Sequence, residues 1–313
     1  MTQWTLAVDI GGTSISAGVV DPGQRVRARR RIPTSAEDGA QQVLDRALRL
    51  VREIRDEATR TGLPAPTALG IGTAGVVDGA GRTVTHATSA LPGWAGTPVS
   101  RLAEDRLGLP VALLGDVQAF LVGETTSVGA AAHASSALGV MAGTGIGGAL
   151  RVNGALVRGE RGAAGHLGHV PVPQAAGLTC PCGAEGHVEA LASGPAMTAH
   201  LATELPGARI ESLRDVSRLA HDGEPAARRV LSLGGAALGT ALAGVVATTD
   251  PYCVVISGGV LSSGPWYLDA LRGALAGQTL PALADVPVRT SLLGADAVLV
   301  GAAETARAPA TAR

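Results

Sequence analysis

Apolar and small residues alternate with polar ones over "TLAVDIGGTSISAGVVD" at 5–21, interrupted by Gly-Gly, which predicts strand, tight turn and strand. "VRARRRIP" at 26–33 continues as a third strand with one charged face. Over 38–62, "DGAQQVLDRALRLVREIRDEATRTG" changes to a 3.6-residue period and predicts a helix that stops at Gly62. "ALGIGTAGVVD" at 68–78 reads as a buried strand and turn, and 99–124 reads as helix, strand and a helix opening near Asp116. "ALGVMAGTGIGGALRVNGALVRG" at 137–159 repeats strand, glycine turn, strand, and then turns at Asn153-Gly154. Helices are expected to about residue 249, then a strand in "CVVISGGVL" at 253–261, an amphipathic helix in "GADAVLVGAAETAR" at 294–307 and a frayed tail in "APATAR". The unit strand–glycine turn–strand thus occurs at 5–20 and 137–152, which implies two related halves of an α/β protein with a cleft between them.

Length and composition narrow this picture. A chain of 313 residues with 46% hydrophobic content supports about two domains. Aromatics are 2%, so the cores must be built from Ala, Val and Leu. The 44 glycines exceed what plain packing needs and point to tight turns or backbone held close to a ligand. All 25 cationic residues are Arg, which excludes Schiff-base chemistry and a Walker A lysine. Net charge is −1, and the basic run at 25–31 is read as a solvated strand face rather than a nucleic-acid patch. No leader is recognised in "MTQWTLAVDIGG", and no run is expected to reach the ~18 apolar residues of a membrane span. Three cysteines, two of them clustered, argue against a disulfide framework. The expectation is a cytoplasmic protein with no nucleic-acid or membrane partner.

"DIGGT" (Asp9 to Thr13) and "GTGIGG" (Gly143 to Gly148) each join two strands. Glycine lets backbone N–H groups approach a phosphate without side-chain interference, although an ordinary hairpin turn would use it too. One such motif in each half favours a nucleotide site. In order, DIGGT, "LPGW" at 91–94, "GDVQAFLVGE" at 115–124, "GTGIGG", "GHLGH" at 165–169, "CPCGAEGHVE" at 180–189 and "SGG" at 257–259 resemble the sugar kinases of the ROK family. The resemblance spans residues 5 to about 305. It implies the two-domain actin/hexokinase-like (ribonuclease H-like) fold. One lobe, 1–117 with 294–313, would hold phosphate and sugar; the other, 118–293, would hold a zinc loop and the nucleotide. Closure of the lobes over substrate and a homodimer are further family expectations.

The resemblance also implies roles for single residues. Asp116, after the apolar run "PVALLG", would be the base that takes the proton of the sugar 6-hydroxyl, the alternative being a plain helix N-cap. Gly11, Gly12, Thr13, Thr144 and Gly145 would contact ATP phosphates, Asp9 would approach Mg2+ through water, and Gly258 and Gly259 would pass close to the adenosine. Gly75, Gly93, His166, His169 and Glu189 would line the sugar site, with Trp94 as a wall or as packing. For His166 the plainer reading is an exposed loop side chain, and for Glu189 helix-end electrostatics. His169, Cys180, Cys182 and His187 offer two imidazoles and two thiolates, a donor set suited to structural Zn2+, against satisfied polar side chains or a reactive thiol pair. His187 stands where the family has Cys. Gly115 and Ala90 stand where it usually has a sugar-holding Asn, leaving Gln118 or water as substitutes. His166 replaces a Glu common in the family and is characteristic of its bacterial N-acetylmannosamine kinases. The implied activity is therefore ATP-dependent phosphorylation of N-acetylmannosamine at the 6-hydroxyl. Glucokinase or another hexose kinase is the first alternative, and a sugar sensor with weak catalysis the second.

Overall fold

The computed structural model describes residues 3–88 and 90–308. The chain divides into two compact units, one made of residues up to His133, Leu156–Ala164 and the chain from Ser291 onward, the other of Ala134–Ala155 and Gly165–Thr290. The first unit opens with β1 (Thr5–Ile10), β2 (Ser14–Val20) and β3 (Val26–Pro33), an antiparallel meander in which Ile10 pairs with Ile15 across the DIGGT turn. Then come α1 (Ala40–Arg60), β4 (Leu69–Thr73), the short pair β5 (Val76–Val77) and β6 (Val84–His86), α2 (Val99–Leu107), β7 (Val111–Gly115) and α3 (Asp116–Glu124). The sheet order is β3-β2-β1-β4-β7, with β4 and β7 parallel to β1. Leu44, Leu48, Val51 and Ile54 of α1 recur at helical spacing and are buried in one core with Leu6, Val8 and Ile10 of β1, which fixes α1 on that face of the sheet. The arginines of β3 face outward and pair with acids, Arg27 with Asp21, Arg29 with Asp296, and Arg30 with Glu53 and Glu57.

The second unit repeats this plan. β8 (Ala137–Ala142), β9 (Ile146–Val152) and β10 (Ala155–Val157) form its meander. Asn153 and Gly154 both have positive φ, as a two-residue hairpin turn requires. There follow α4 (Glu189–Ala192), α5 (Gly194–Glu204), α6 (Leu213–His221), α7 (Pro225–Thr249), β11 (Val254–Ser257), α8 (Pro265–Gln278) and β12 (Val288–Thr290). The sheet order β10-β9-β8-β11-β12 matches the first sheet strand for strand. α9 (Ala297–Arg307) then rejoins the first unit.

Several expectations need correcting. α3 packs with the first unit, so its boundary falls after His133 rather than at 117, and Ser291 rather than residue 294 begins the return. The cause is Glu124 at the end of α3: its buried carboxylate accepts from the N–H groups of Ala130, Leu292 and Leu293. The return of Leu156–Ala164 was not foreseen; a Cβ on Gly162 would lie 1.7 Å from the carbonyl oxygen of Val77. α9 is not amphipathic. Ala297 through Ala303 are all buried, because α3 covers one side and β4 the other, with Gly123, Gly301 and Gly70 letting backbones meet. α7 does contain an uncharged run of membrane-spanning length, Val230 to Thr249. It is a core helix instead: a Cβ on Gly235 or Gly239 would strike the carbonyl oxygens of Tyr267 or Leu271, so α8 lies backbone to backbone against it. Many of the glycines therefore serve helix packing rather than ligands. The expected tail from residue 309 lies outside the described residues.

Candidate active site and metal centre

The first glycine turn is held from behind. Gly11 N–H donates to Ser14 O at 3.0 Å, Thr34 N–H donates to Thr13 O at 3.1 Å, and the Thr34 hydroxyl donates to Gly11 O at 2.6 Å. Gly12 and Thr13 N–H have no acceptor among the described residues, so both remain available to a ligand. Gly12 is dictated by a close approach: a Cβ there would meet the Ala90 Cβ at 2.9 Å. Thr34 carries no motif and was not anticipated; the β2–β3 register, Ser14 opposite Pro33, brings it there.

Asp9 lies in β1 directly beside Gly72 of β4. A Cβ on Gly72 would strike Val298 Cγ1 at 2.5 Å and lie 3.5 Å from Ala119 Cβ and 3.9 Å from Asp116 Cα, so that glycine lets α3 and α9 pack against the sheet next to Asp9. Burial, and next the charge of Asp116, push the Asp9 carboxyl up to about 7, while Arg31 and Arg29 oppose the shift. Asp116 is the first residue of α3, one past its cap, and its Oδ1 accepts from Val117 N–H at 2.8 Å. The end of a parallel strand and the start of a helix thus meet at this carboxylate.

Gly115 precedes it with φ −62° and ψ 148°, a conformation open to any residue. Its N–H donates to the Gln118 side-chain oxygen at 3.2 Å, so that oxygen, on a residue 7% exposed, already serves the backbone. Gly75, at φ 101°, places its carbonyl oxygen 3.7 Å from where a Gly115 Cβ would be, which puts Gly75 beside the residue that precedes Asp116. Gly93 is exposed, in a left-handed turn where a Cβ would lie 3.9 Å from Ala40 Cβ. Trp94 is fully buried and donates to the Thr73 hydroxyl at 2.9 Å, so it is packing and not a pocket wall.

In the second unit the turn 143–146 is closed by Gly143 N–H on Gly145 O at 2.9 Å, leaving Thr144 and Gly145 N–H without acceptors among the described residues. Gly258 has φ 108° and no room for a side chain, since a Cβ would lie 2.1 Å from Ala142 O. Gly259 is open on its Cβ side, and its N atom is 3.7 Å from where a Gly143 Cβ would be. The strand ends of β8 and β11 therefore bring both glycine motifs of this unit together.

The Cys/His segment folds on its own backbone. Isolated bridges pair Pro171 with His187 and Thr179 with Glu185, and Cys180 O accepts from Gly183 N–H at 2.8 Å. One donor atom from each of His169, Cys180, Cys182 and His187 lies within 4.8 Å of the others. Cys180 Sγ is 3.7 Å from His169 Nδ1, and Cys182 Sγ is 3.3 Å from His187 Nδ1. These spacings and the donor set fit the corners of a tetrahedral site for a zinc-sized cation with four protein ligands. Burial lowers the His169 pKa, against the opposing charge of Glu189, which favours the neutral ring that coordinates metal. His166 stacks on His169 with ring centres 6.2 Å apart and planes at 14°. Glu189, expected near the sugar, has one oxygen engaged elsewhere: Oε2 accepts from Ile146 N–H of the second glycine turn at 2.7 Å.

The ROK family profile matches residues 5–308. An N-acetylmannosamine kinase of Salmonella paratyphi B is 32% identical over 300 residues, covering 96% of this chain and 97% of that protein. Among solved structures, a ROK family glucokinase from Streptomyces griseus in complex with glucose and AMPPNP superposes with a TM-score of 0.82 at 31% identity, over 97% of this chain and 99% of that one. A ROK hexokinase from Thermus thermophilus gives a TM-score of 0.81 at 34% identity, over 97% and 98%.

Proposed function

The chain belongs to the ROK family and is an ATP-dependent sugar kinase of actin/hexokinase-like fold, and on that premise we propose that it phosphorylates the 6-hydroxyl of N-acetylmannosamine. The observation that carries this choice is His166. It stands where many family members have Glu, and it stacks on His169 of the metal cluster. An imidazole can donate to or accept from the sugar's acetamido group and hydroxyls without a fixed negative charge. Zinc, bound by His169, Cys180, Cys182 and His187, would order a loop that has little core of its own and so hold His166 and Glu189 in place. Its shell would be complete, so it would take no part in the chemistry.

In this reading Asp116 accepts the 6-hydroxyl proton as the oxygen attacks the γ-phosphate. Gly12 and Thr13 on the first unit, and Thr144 and Gly145 on the second, bind phosphate through N–H groups that the protein leaves unspent, and Gly11, whose own N–H goes to Ser14 O, lets the backbone come close to the phosphate. Mg2+ would supply charge neutralisation when bound, and Asp9 would be the carboxylate that holds it through water. Gly258 and Gly259 flank the adenosine, Gly75 lines the sugar beside Asp116, and Gly93 completes that side of the site. The setting is cytoplasmic.

The test is ADP release with Mg-ATP and each of N-acetylmannosamine, N-acetylglucosamine and glucose, using zinc-replete protein. Preference for N-acetylmannosamine supports the assignment. Preference for glucose replaces it with the second reading, which the 31% and 34% identities to the glucokinase and hexokinase favour. Sugar binding without ADP release on any of the three would point to a sensor, the reading motivated by Gly115 and Ala90.

A further inference from the structure

We propose that Glu189 is a positioning residue for the nucleotide: together with Gly194 it staples the two ends of the turn 143–146, so that the phosphate-facing N–H groups are held in place from behind. This rests on the reading of that turn as a phosphate site. At one end, Glu189 Oε2 accepts from Ile146 N–H at 2.7 Å. At the other, Gly194 N–H donates to Gly143 O at 2.8 Å. Glu189 and Gly194 begin consecutive helices, α4 and α5, and Ser193 between them caps α5 by accepting from Ala196 N–H. One six-residue stretch therefore grips both ends of a turn whose middle two N–H groups are unspent.

The surrounding glycines record the same grip. A Cβ on Gly145 would lie 2.7 Å from Glu189 Oε2, and one on Gly168 would lie 3.0 Å from the same oxygen. A Cβ on Gly148 would collide with Leu167 at 2.4 Å. Gly145 and Gly148, which look like a phosphate signature in sequence, are thus also required by what packs behind the turn. A carboxylate accepting from a backbone N–H makes a charge-assisted bond, stronger than a neutral one and short enough to fix a flexible glycine turn. Oε1 makes no hydrogen bond among the described residues, so in the proposed reading it is the oxygen left for the sugar.

The experiment separates the acceptor from the charge. Affinity for a non-hydrolysable ATP analogue is measured by calorimetry, and KM for ATP and for sugar by turnover, in Glu189→Gln, Glu189→Asp and Glu189→Ala. Gln keeps an oxygen in reach of Ile146 N–H without charge; Asp keeps the charge but retracts the oxygen by one methylene. The expected result is analogue affinity weakened about tenfold in Asp and Ala, the scale of one hydrogen bond to a charged group, and by a smaller factor in Gln, which keeps a neutral acceptor. Sugar KM should rise in all three. Unchanged analogue affinity in both Asp and Ala overturns the proposal, as does a loss in Gln equal to that in Ala. Amide NMR shifts of Thr144 and Gly145 on adding the analogue isolate the premise: if neither moves, the turn is not a phosphate site. Shifts there, with unchanged affinity in Glu189→Ala, remove only the staple.

Discussion

The two hairpins β1–β2 and β8–β9 have the same topology, yet their glycine turns are supported differently. The first turn is braced from within its own meander by Thr34, and beside it stand two carboxylates, Asp9 and Asp116. The second turn has no carboxylate of its own strand beside it. It is braced by a segment some 43 residues away that continues directly from the Cys/His loop. Two copies of one plan have diverged in what stands behind the turn. The first carries the groups that can move a proton or meet a metal-bound phosphate. The second couples a nucleotide-facing turn to a loop that faces the sugar in the proposed reading.

The largest expected effect comes from breaking the first side. Asp116→Asn removes the proposed base while keeping shape and helix opening. Turnover of the preferred sugar should fall by about 10²- to 10⁴-fold, the usual worth of general base catalysis. Affinity for a non-hydrolysable ATP analogue should stay near wild type, because the second turn is untouched. Retained turnover in this variant would end the mechanistic assignment.

Metal removal acts on the other side. Stripping the protein with a strong chelator should lower Tm by about 5 °C or more, because a ligand bound only by the folded state stabilises it. Cys182→Ala should start lower and respond little to the chelator. An unchanged Tm in wild type would mean that His169, Cys180, Cys182 and His187 hold no structural ion. This cluster was legible in the sequence because all four donors lie within one loop of few other functional groups. The alternating strands, α1 and the opening of α3 at Asp116 were legible for a similar reason: their periods and glycine stops are local. The grip of Glu189 on Ile146 was not, since it exists only once β9 and α4 have packed. Nor was the burial of α9, whose Ala- and Gly-rich face looks neutral until Gly123 and Gly301 bring α3 against it. Trp94 was ambiguous in a loop and is settled by its bond to Thr73.

A pH series sharpens the contrast further, because the raised carboxyl is on the first side. Asp9 holds its proton up to about 7 in the folded protein, against 3.8 when unfolded. The folded state therefore binds more protons than the unfolded one between those values, and stability falls as pH rises through this window. Below about 4 both states are protonated and above about 7 both are ionised, so the slope is confined to the interval. The difference in Tm between wild type and Asp9→Asn should shift in favour of the variant from pH 5 to pH 8. Mg-ATP should oppose that shift, since bound cation favours the ionised carboxyl. A difference that stays constant over this range would mean that Asp9 is not perturbed.

The smallest effect is expected where the first side lacks a group its family usually has. Gly115 has helix-cap geometry that an L residue adopts without strain, and the nearest atoms to a Cβ there are 3.6–3.7 Å away, ordinary contact. Gly115→Asn should therefore fold with little change in Tm. If Gly115 has cost the site a sugar hydrogen bond, the variant should lower sugar KM by about fivefold, the worth of one neutral hydrogen bond, and leave KM for ATP alone. No change in sugar KM would mean that the site has repacked around the missing side chain. A rise would mean that the smaller residue makes room the preferred sugar needs. Either result bears on the substrate choice, because an acetamido group demands space that a hydroxyl does not.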